Sequence, residues 1–380
     1  SGDDDDDEIR AAQMPLFIRN KLAQVIVAIA AAEYPATWPT FFTDVLASLN
    51  ERQLSIDCFS RILISIHEDI ISLEVPRSAA GAKASMTFKD AMRDGPDAAL
   101  ERVARAWLEV LKALLGMIGV GGDRGARVGA GASPAEAVAS VASVASISSA
   151  WRLIALVLNG VERYVNWIDI GLVANGPFIA VLFDVLNSEV GSGGSANVGG
   201  DQTPGWMESV RGAQVAAVGV LSEIVVKKME AGAKLQLIES LGLVPLGARW
   251  AETGLPGGMG VQTEHANPLE DEDHALGVAS AKLLVGLATE ILDAWKRVEN
   301  GVISLQAVGV RLDDDVMREA TESVQKAAGM LEQLFPSVVR VLRVPEDEVS
   351  VIVAPFMLGF VSRMKMVQKR CGELGAVERG

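Results

Sequence analysis

Apolar residues recur at helical spacing along almost the whole of this chain of 380 residues. In the first such segment, residues 15–32, the apolar positions follow the period of a helix: Phe17, Leu22, Val25, Ile26 and Ile29. The same pattern returns in segments 37–46, 56–73, 98–115, 135–167, 177–186, 210–229, 235–243, 275–298, 316–334 and 349–367. No segment of the sequence alternates apolar and polar residues with the period of two that is typical of a strand. The sequence therefore predicts an all-α protein.

A chain of this length is too long for one ordinary core, so its helices form either a large bundle or an extended array. Helix pairs that recur about every 40 to 47 residues match HEAT and armadillo repeats. Apolar residues, 49% of the chain, are mostly Ala, Val, Leu and Ile, while aromatic residues make up only 5%. Small and medium side chains favour close packing of helix on helix. We therefore predict an α-α superhelix, that is, a HEAT- or armadillo-like solenoid.

Composition divides the predicted solenoid into blocks. The acidic lead, residues 1–13, is predicted to be disordered, because a run of like charges does not form a core. Segments rich in Gly, Ser or Pro are predicted as loops inserted between helices: 116–134, 191–205 and 244–270. The helical repeats accordingly fall into three blocks, 14–115, 135–243 and 271–380.

The net charge of −15 argues against simple wrapping of nucleic acid, which needs a positive face. It leaves open a local basic strip on an acidic body. The two cysteines, Cys58 and Cys371, form no disulfide framework, which favours a reducing compartment. The longest apolar runs, 22–32 and 351–361, are too short or too broken to span a bilayer, so no membrane insertion is expected.

Catalytic and metal-binding patterns are missing from the sequence. The glycines of segment 119–122 have neither a preceding strand nor a following Lys-Ser/Thr pair, so they form no phosphate loop. His265 and His274 flank an acidic stretch that includes Glu270 and Asp271, but this spacing matches no common metal site. We therefore expect no catalytic residue, no bound metal and no cofactor, and we predict a binding protein rather than an enzyme.

Three short stretches near the start of the chain resemble one known family. Residues 17–24 read FIRNKLAQ, residues 33–35 read EYP, and residues 38–42 read WPTFF. In this order, as one helix, a turn and a second helix, they resemble the exportin branch of the importin-β (karyopherin) superfamily.

Further stretches narrow the resemblance to the tRNA-export group of that branch. They are residues 88–93 (FKDAMR), 164–175 (YVNWIDIGLVAN), 178–179 (FI) and 234–241 (KLQLIESL). The stretch at 164–175 is the most diagnostic of them. The similar segments span residues 14–243 and continue more weakly through 275–298.

The resemblance implies a HEAT-repeat solenoid that binds tRNA together with Ran-GTP in the nucleus and releases it in the cytoplasm after GTP hydrolysis. It also implies contacts with nuclear pore proteins and shuttling between the two compartments, and we expect a monomer. The resemblance further implies that the sequence starts a few helices after the point where such receptors usually begin, and that those earlier helices form a major Ran-binding surface. We therefore expect this chain alone to bind Ran poorly.

Two alternatives stay open. The first is a karyopherin that carries a protein or another RNA, which the stretches at 17–42 would also fit. The second is a HEAT-repeat scaffold that holds proteins together without any role in transport.

Basic side chains are the expected contacts to RNA phosphates or to Ran, since a curved helical surface with spaced Lys and Arg suits a folded RNA. The candidates are Arg19, Lys21, Arg61, Lys89, Arg93, Arg102, Arg105, Lys227, Lys228 and Lys234. Lys227, Lys228 and Lys234 form the densest cluster in the middle of the chain. A second cluster lies on the last predicted helix: Arg363, Lys365, Lys369 and Arg370.

For each candidate, the alternative is a solvated helix face or an ion pair within the protein. For Arg19 the expected ion-pair partners are Glu33 and Asp44.

Overall fold

The computed structural model of the chain describes residues 14–49, 53–72, 78–95, 98–119, 134–188, 205–256, 271–307, 313–342 and 347–377. The chain divides into two compact units, Ser1–Val220 and Leu221–Gly380. The described ranges are predominantly helical and contain no strand, which confirms the predicted all-α class. The acidic lead (1–13) and most of the three Gly-rich segments lie outside these ranges.

Unit 1 contains α1 (Leu16–Glu33), α2 (Phe41–Ala47), α3 (Gln53–Ile66), α4 (Ala79–Asp94), α5 (Ala99–Ile118), α6 (Pro134–Val165), α7 (Gly176–Leu186) and most of α8 (Gly205–Val226). Helices α1 and α6 both pack on α3, α5 packs on α6, and α7 packs on α5. The start of α7 is fixed by Asn175, whose side-chain oxygen accepts a hydrogen bond from the backbone N–H of Phe178 at 3.1 Å.

Unit 2 contains the end of α8 and five further helices: α9 (Ala231–Ser240), α10 (Leu243–Thr253), α11 (Asp271–Ala307), α12 (Asp314–Val341) and α13 (Asp347–Val377). Helix α11 lies at the centre of this unit, because α9, α12 and α13 all pack against it, while α10 packs on α12. A stripe of buried residues at helical spacing runs along α11: Leu284, Ala288, Ile291 and Trp295.

Helix α1 has apolar residues on two sides, and the structure corrects which side is buried. The buried residues are Ala23, Val27 and Ala30, and the helix packs on α3 and α4. Four of the five residues of the predicted face are exposed, for example Val25 at 51%, and Ile26 is half-buried. Small side chains let the α1 backbone approach its neighbours closely, so the alanines rather than the larger residues occupy the contact.

Helix α10 lies in a segment that composition predicted as a loop, and that prediction is wrong for residues 244–253. Pro245 stands in the first helical turn, where a missing N–H does not break the hydrogen-bond pattern. Gly247 is a close-packing residue, because a Cβ there would lie 2.7 Å from Leu334 Cδ2 and 3.0 Å from Leu284 Cδ1. Pro245 and Gly247 are therefore both compatible with a helix, and Gly247 permits its close packing.

Helix α4 is a further element that the apolar pattern did not predict. Its first half is composed mostly of Ala, Gly, Ser and Lys, and its only buried residues are Ser85, Phe88 and Met92. The helix begins at a clear capping residue, since the Ser78 hydroxyl accepts a hydrogen bond from the backbone N–H of Gly81 at 3.2 Å. A narrow buried stripe is enough for a helix that packs on one side only.

Helix α3 changes its hydrogen-bond register at His67, where it continues as a π-helical turn (His67–Ile71). Side chains from other helices bond to the carbonyls of this region. The Tyr164 hydroxyl donates to the carbonyl of Leu63 at 2.8 Å, and the Ser85 hydroxyl donates to the carbonyl of Ile70. Tyr164 also contacts the rings of His67 and Trp107. The turn is therefore held in place by α4 and α6, and Trp107 of α5 packs against Tyr164.

A buried carboxylate joins α1 to α3. Asp57 is 5% exposed and accepts hydrogen bonds from Arg19 Nη1 at 2.9 Å and from Arg61 Nε and Nη2 at 2.7 and 2.9 Å. Arg61 Nη1 also donates to the side chain of Asn20 on α1 at 2.6 Å. The paired arginines compensate for the removal of the carboxylate from water.

Three helical segments are long and apolar enough to cross a membrane by length and composition alone: Trp206–Val226, Asp273–Leu305 and Glu348–Lys369. The expectation that the longest apolar runs are too short or too broken is therefore wrong, by length and composition, for run 351–361, which lies within Glu348–Lys369. It also missed the other two segments, since each of the three contains an 18-residue apolar window with at most two charged residues. Within the protein, 61% and 67% of the first two windows are buried, but only 22% of the third. Val351 and Leu358 belong to that third window and are each 71% exposed.

We predict that Asp57→Ala destabilises the protein by about 2 kcal/mol, because it leaves two partly covered guanidinium groups without their carboxylate. The midpoint of urea unfolding measures this effect. Asp90→Ala is the matched control, since Asp90 forms an exposed ion pair with Arg93 and its loss should cost less than about 0.5 kcal/mol. Equal effects of the two substitutions would contradict a structural role for Asp57.

We also predict that stability falls as the pH is lowered from about 6.5 to about 4. Burial, followed by the charges of Arg163 and Lys89, lowers the pKa of His67 to about 4. His67 in the unfolded chain therefore binds a proton more readily than His67 in the folded chain. Protonation below about pH 6.5 consequently favours unfolding. His67→Phe should reduce the difference in unfolding free energy between pH 7 and pH 4. An unchanged difference would show that His67 does not contribute to it.

Candidate functional site

The α8–α9 turn, residues 227–230, carries the basic cluster that the sequence analysis singled out. Helix α8 ends at Val226, and Lys227 and Lys228 follow directly. Glu230 begins α9: its carboxylate accepts a hydrogen bond from the backbone N–H of Ala233 at 2.9 Å. Lys228 is exposed and Lys227 is half-buried. Both lysines therefore stand on a short connection that is fixed at each end by a helix.

Lys234 is fully buried, which corrects its assignment as an RNA or Ran contact. Its ammonium group donates to the carbonyls of Val225 and Lys227, and it forms an ion pair with Glu290 Oε2 at 3.1 Å. Burial lowers the pKa of Lys234, and the bond to Glu290 opposes that shift. A positive charge at the last carbonyls of α8 is favourable, because these groups have no partner within the helix. Lys234 thus holds the backbone of the turn.

The sequence contains the information that places Lys234 inside. It lies with Ala231, Leu235 and Ile238 on the buried stripe of α9, at the spacing of one helical face. A lysine on such a stripe is expected to reach a buried partner. That partner, Glu290, lies on α11, and no local sequence pattern connects the two residues.

Arg297 is a functional candidate that sequence reasoning missed. This exposed residue of α11 donates from Nη1 to the carbonyl of Met229 at 2.9 Å, so its guanidinium group lies against the α8–α9 turn. Lys228 is the residue before Met229. The structure therefore brings the guanidinium group of Arg297 to the backbone next to Lys228, although the two residues are far apart in the sequence.

The carboxylates nearest to the turn are engaged in bonds of their own. Glu290 binds Lys234, and the backbone N–H groups of Gly232 and Ala233 hold the pKa of Glu230 below its usual value. Neither Lys228 nor Arg297 forms an ion pair with a residue in the described ranges at hydrogen-bonding distance. The turn thus presents the exposed cations Lys228 and Arg297 beside the exposed carboxylate of Glu230, whose pKa is also lowered by the charge of Arg297.

Two of the predicted contacts in unit 1 have structural roles. Arg19 and Arg61 both hold Asp57, so the ion-pair alternative applies to Arg19, with Asp57 as the partner in place of Glu33 or Asp44. Arg61 is only 14% exposed at its side chain. We therefore drop both residues from the candidate contacts.

The remaining candidates of unit 1 are spread over α1, α4 and α5, and the contacts that the structure shows do not bring them into one cluster. Arg93 forms exposed ion pairs with Asp90 and Asp94, and Arg102 donates to the Thr43 hydroxyl at 2.8 Å. Lys21 donates to the side chain of Gln24 at 3.2 Å on the exposed surface of α1. Lys89 is half-buried and Arg105 is exposed. These residues stay predictions without a shared site.

The second basic cluster, on α13, is also changed by the structure. Arg363 is 2% exposed, pairs with Glu299 and lies over the ring of Trp295, with 5.0 Å from its guanidinium carbon to the ring centroid. It therefore joins α13 to α11. Lys365 and Lys369 are exposed, and the side chain of Arg370 lies outside the described residues.

No group of His, Cys, Asp and Glu within the described ranges has the geometry of a metal site. His265 and Glu270 lie outside those ranges, as does the side chain of Asp271. Cys58 is half-buried on α3, and burial raises the pKa of its thiol.

Comparison with known proteins connects this helical architecture to one family. Residues 15–196 match the family model described as Exportin 1-like protein. Exportin-T of Arabidopsis thaliana is 28% identical over 362 residues, which cover 95% of this chain and 27% of that relative. Exportin-T of Oryza sativa subsp. japonica is 28% identical over 369 residues, and exportin-T of Homo sapiens is 23% identical over 302 residues.

The chain is thus similar to exportins of the importin-β superfamily, and its described ranges have the all-α fold of HEAT-like repeats. Within that class, the relatives to which it is similar over almost its full length are exportin-T proteins. The chain spans about a quarter of the length of these curated relatives. The prediction of a protein other than an enzyme agrees with these relatives, all of which carry the name of an exportin.

We predict that Lys234→Met destabilises the protein by about 3 kcal/mol, because it leaves Glu290 and two helix-end carbonyls without their buried partner. Thermal and urea unfolding measure the change. The double variant Lys234→Met with Glu290→Leu should recover part of the loss, since it removes both charges together. If Lys234→Met alone were as stable as the original chain, the turn would not depend on the ammonium group.

Proposed function

We propose that the chain acts in nuclear export as a receptor for tRNA. In this proposal it binds tRNA cooperatively with Ran-GTP in the nucleus, passes the pore through contacts with nuclear pore proteins, and releases tRNA in the cytoplasm. The observation that carries the proposal is the similarity to exportin-T proteins over 95% of the chain. The protein is proposed to act as a monomer that shuttles between the two compartments.

The α8–α9 turn supports an RNA ligand. Phosphate groups bind to exposed Lys and Arg side chains, and folded RNA is recognised largely by its shape and backbone. Lys227 and Lys228 stand on a turn whose backbone is fixed by buried Lys234, so little backbone order has to be gained on binding. The net charge of −15 makes non-specific adhesion to RNA weak, which leaves local basic sites to determine where RNA binds.

Ran-dependence tests the export function. The binding of tRNA to the polypeptide that contains this sequence, at its natural length, is measured by fluorescence anisotropy with and without Ran-GTP. We expect tRNA to bind more tightly with Ran-GTP than without it or with Ran-GDP, because cooperative ligands raise each other's affinity. An affinity that is the same in all three conditions would contradict a Ran-dependent export receptor.

Charge reversal tests the turn. We predict that Lys227→Glu with Lys228→Glu weakens tRNA binding and reduces the slope of log K against log salt by about one to two units, since up to two phosphate contacts are lost. Lys83→Glu with Lys112→Glu is the matched control: both lysines are exposed, and the change in net charge is the same. Equal effects of the two double variants would mean that net charge alone is responsible.

A further inference from the structure

We infer that Arg297 and Lys228 form one composite phosphate-binding site, in which the α8–α9 turn and α11 each supply a cation. This inference rests on the proposed binding of RNA and names the part of the molecule that binds its backbone. It adds a residue, Arg297, that lies outside the basic clusters visible in the sequence.

The first argument is the position of the guanidinium group. Arg297 Nη1 donates to the Met229 carbonyl at 2.9 Å, and Lys228 immediately precedes Met229. The bond to the main chain restrains a side chain that would otherwise sample many rotamers. An arginine restrained in this way loses less conformational freedom when it binds a ligand.

The second argument is the free capacity of both groups. Nη1 is the one nitrogen of Arg297 that bonds to a described residue, so its other N–H groups are available to oxygen acceptors. Lys228 is exposed and makes no hydrogen bond or ion pair within the described ranges. A guanidinium group matches two phosphate oxygens at once, while an ammonium group acts as a point charge. Together, the guanidinium and ammonium groups suit neighbouring phosphates of a nucleic acid backbone.

The third argument is that the support beneath the site is rigid and already satisfied. Lys234 donates hydrogen bonds from the protein interior to the carbonyls of Val225 and Lys227, and it forms an ion pair with Glu290. Glu230 bonds to the start of α9. Glu290 is therefore paired with Lys234, whereas Glu230, besides its backbone bonds, also interacts electrostatically with Arg297. No carboxylate of the described ranges forms an ion pair at hydrogen-bonding distance with Arg297 or Lys228, so both cations keep N–H groups for a ligand.

The test compares Arg297→Gln with Arg318→Gln in the full chain, because Arg318 is an exposed arginine of unit 2 whose partners are on its own helix. Binding is measured against salt concentration for tRNA, for inorganic polyphosphate and for a poly-Glu peptide. We expect Arg297→Gln to weaken binding to tRNA and polyphosphate several-fold and to lower the salt slope by about one unit, with no change for Arg318→Gln.

Arg297→Lys distinguishes the bidentate geometry of the guanidinium group from its charge alone. This variant should keep the slope of log K against log salt, but it should retain only part of the affinity that Arg297→Gln loses. Lys228→Gln should lower the slope of log K against log salt as Arg297→Gln does. The double variant should lose less binding free energy than the sum of the two single losses, since both cations bind one ligand. Unfolding curves of each variant confirm that the fold is kept.

The possible outcomes separate this inference from the proposed function. A slope that Arg297→Gln leaves unchanged, while the original chain binds tRNA, overturns the composite site and leaves the export function standing. Binding of polyphosphate that depends on Arg297 without any binding of tRNA supports the site and contradicts the RNA ligand. Binding of poly-Glu that depends on Arg297 more strongly than tRNA or polyphosphate binding overturns the site as a phosphate site and assigns it to an acidic protein. If the chain binds neither tRNA nor polyphosphate, the composite site is wrong.

Discussion

The ends of the helices depend on polar side chains that come from neighbouring helices. The last carbonyls of an α-helix have no partner within it, and a buried carbonyl without a hydrogen bond is costly. In unit 1, the Gln214 amide donates to the carbonyls of Leu186 and Ser188 at 3.2 and 3.0 Å, just where α7 ends. In unit 2, Lys234 serves the end of α8 in the same way.

The end of α10 follows the same rule. Arg340 of α12 donates to the carbonyl of Ala251 in the last turn of α10. The Ser337 hydroxyl of α12 also donates, at 2.6 Å, to the carbonyl of Gly247 in the middle of α10. Apolar stripes bring the helices together without fixing their positions along one another. A polar side chain that must reach one particular carbonyl fixes that position, and each such bond therefore sets the register of a helix pair.

Much of the fold could be predicted from the sequence, because helix formation and burial leave a local pattern. The spacing of apolar residues predicted α5, α6 and α7 with small errors at their ends, whereas the prediction for α12 stopped at residue 334 and the helix continues to Val341. The pattern failed where one helix has two apolar sides, as in α1, and where glycine permits close contact, as at Gly247 in α10. In both cases the outcome depends on which neighbour covers the helix, and that neighbour is distant in the sequence.

The candidate site, too, could be predicted from the sequence only in part. Composition indicated a basic cluster at Lys227 and Lys228, and the structure keeps both on an accessible turn. Lys234 was counted with them because a list of charges does not distinguish a solvated lysine from a buried one. Its place on the apolar stripe of α9 could have corrected this. Arg297 could not have been found in this way, because only the packing of α11 brings it to the turn.

The central claim is that a turn held from inside by one lysine presents other cations to an RNA backbone. Acetylation of lysines, followed by mass spectrometry with and without bound tRNA, tests it most directly. Lys228 should react quickly in the free chain and be protected by tRNA, whereas Lys234 should react slowly in both states because it is buried. Rapid acetylation of Lys234 in the folded chain, or equal reactivity of Lys228 with and without bound tRNA, would contradict the claim.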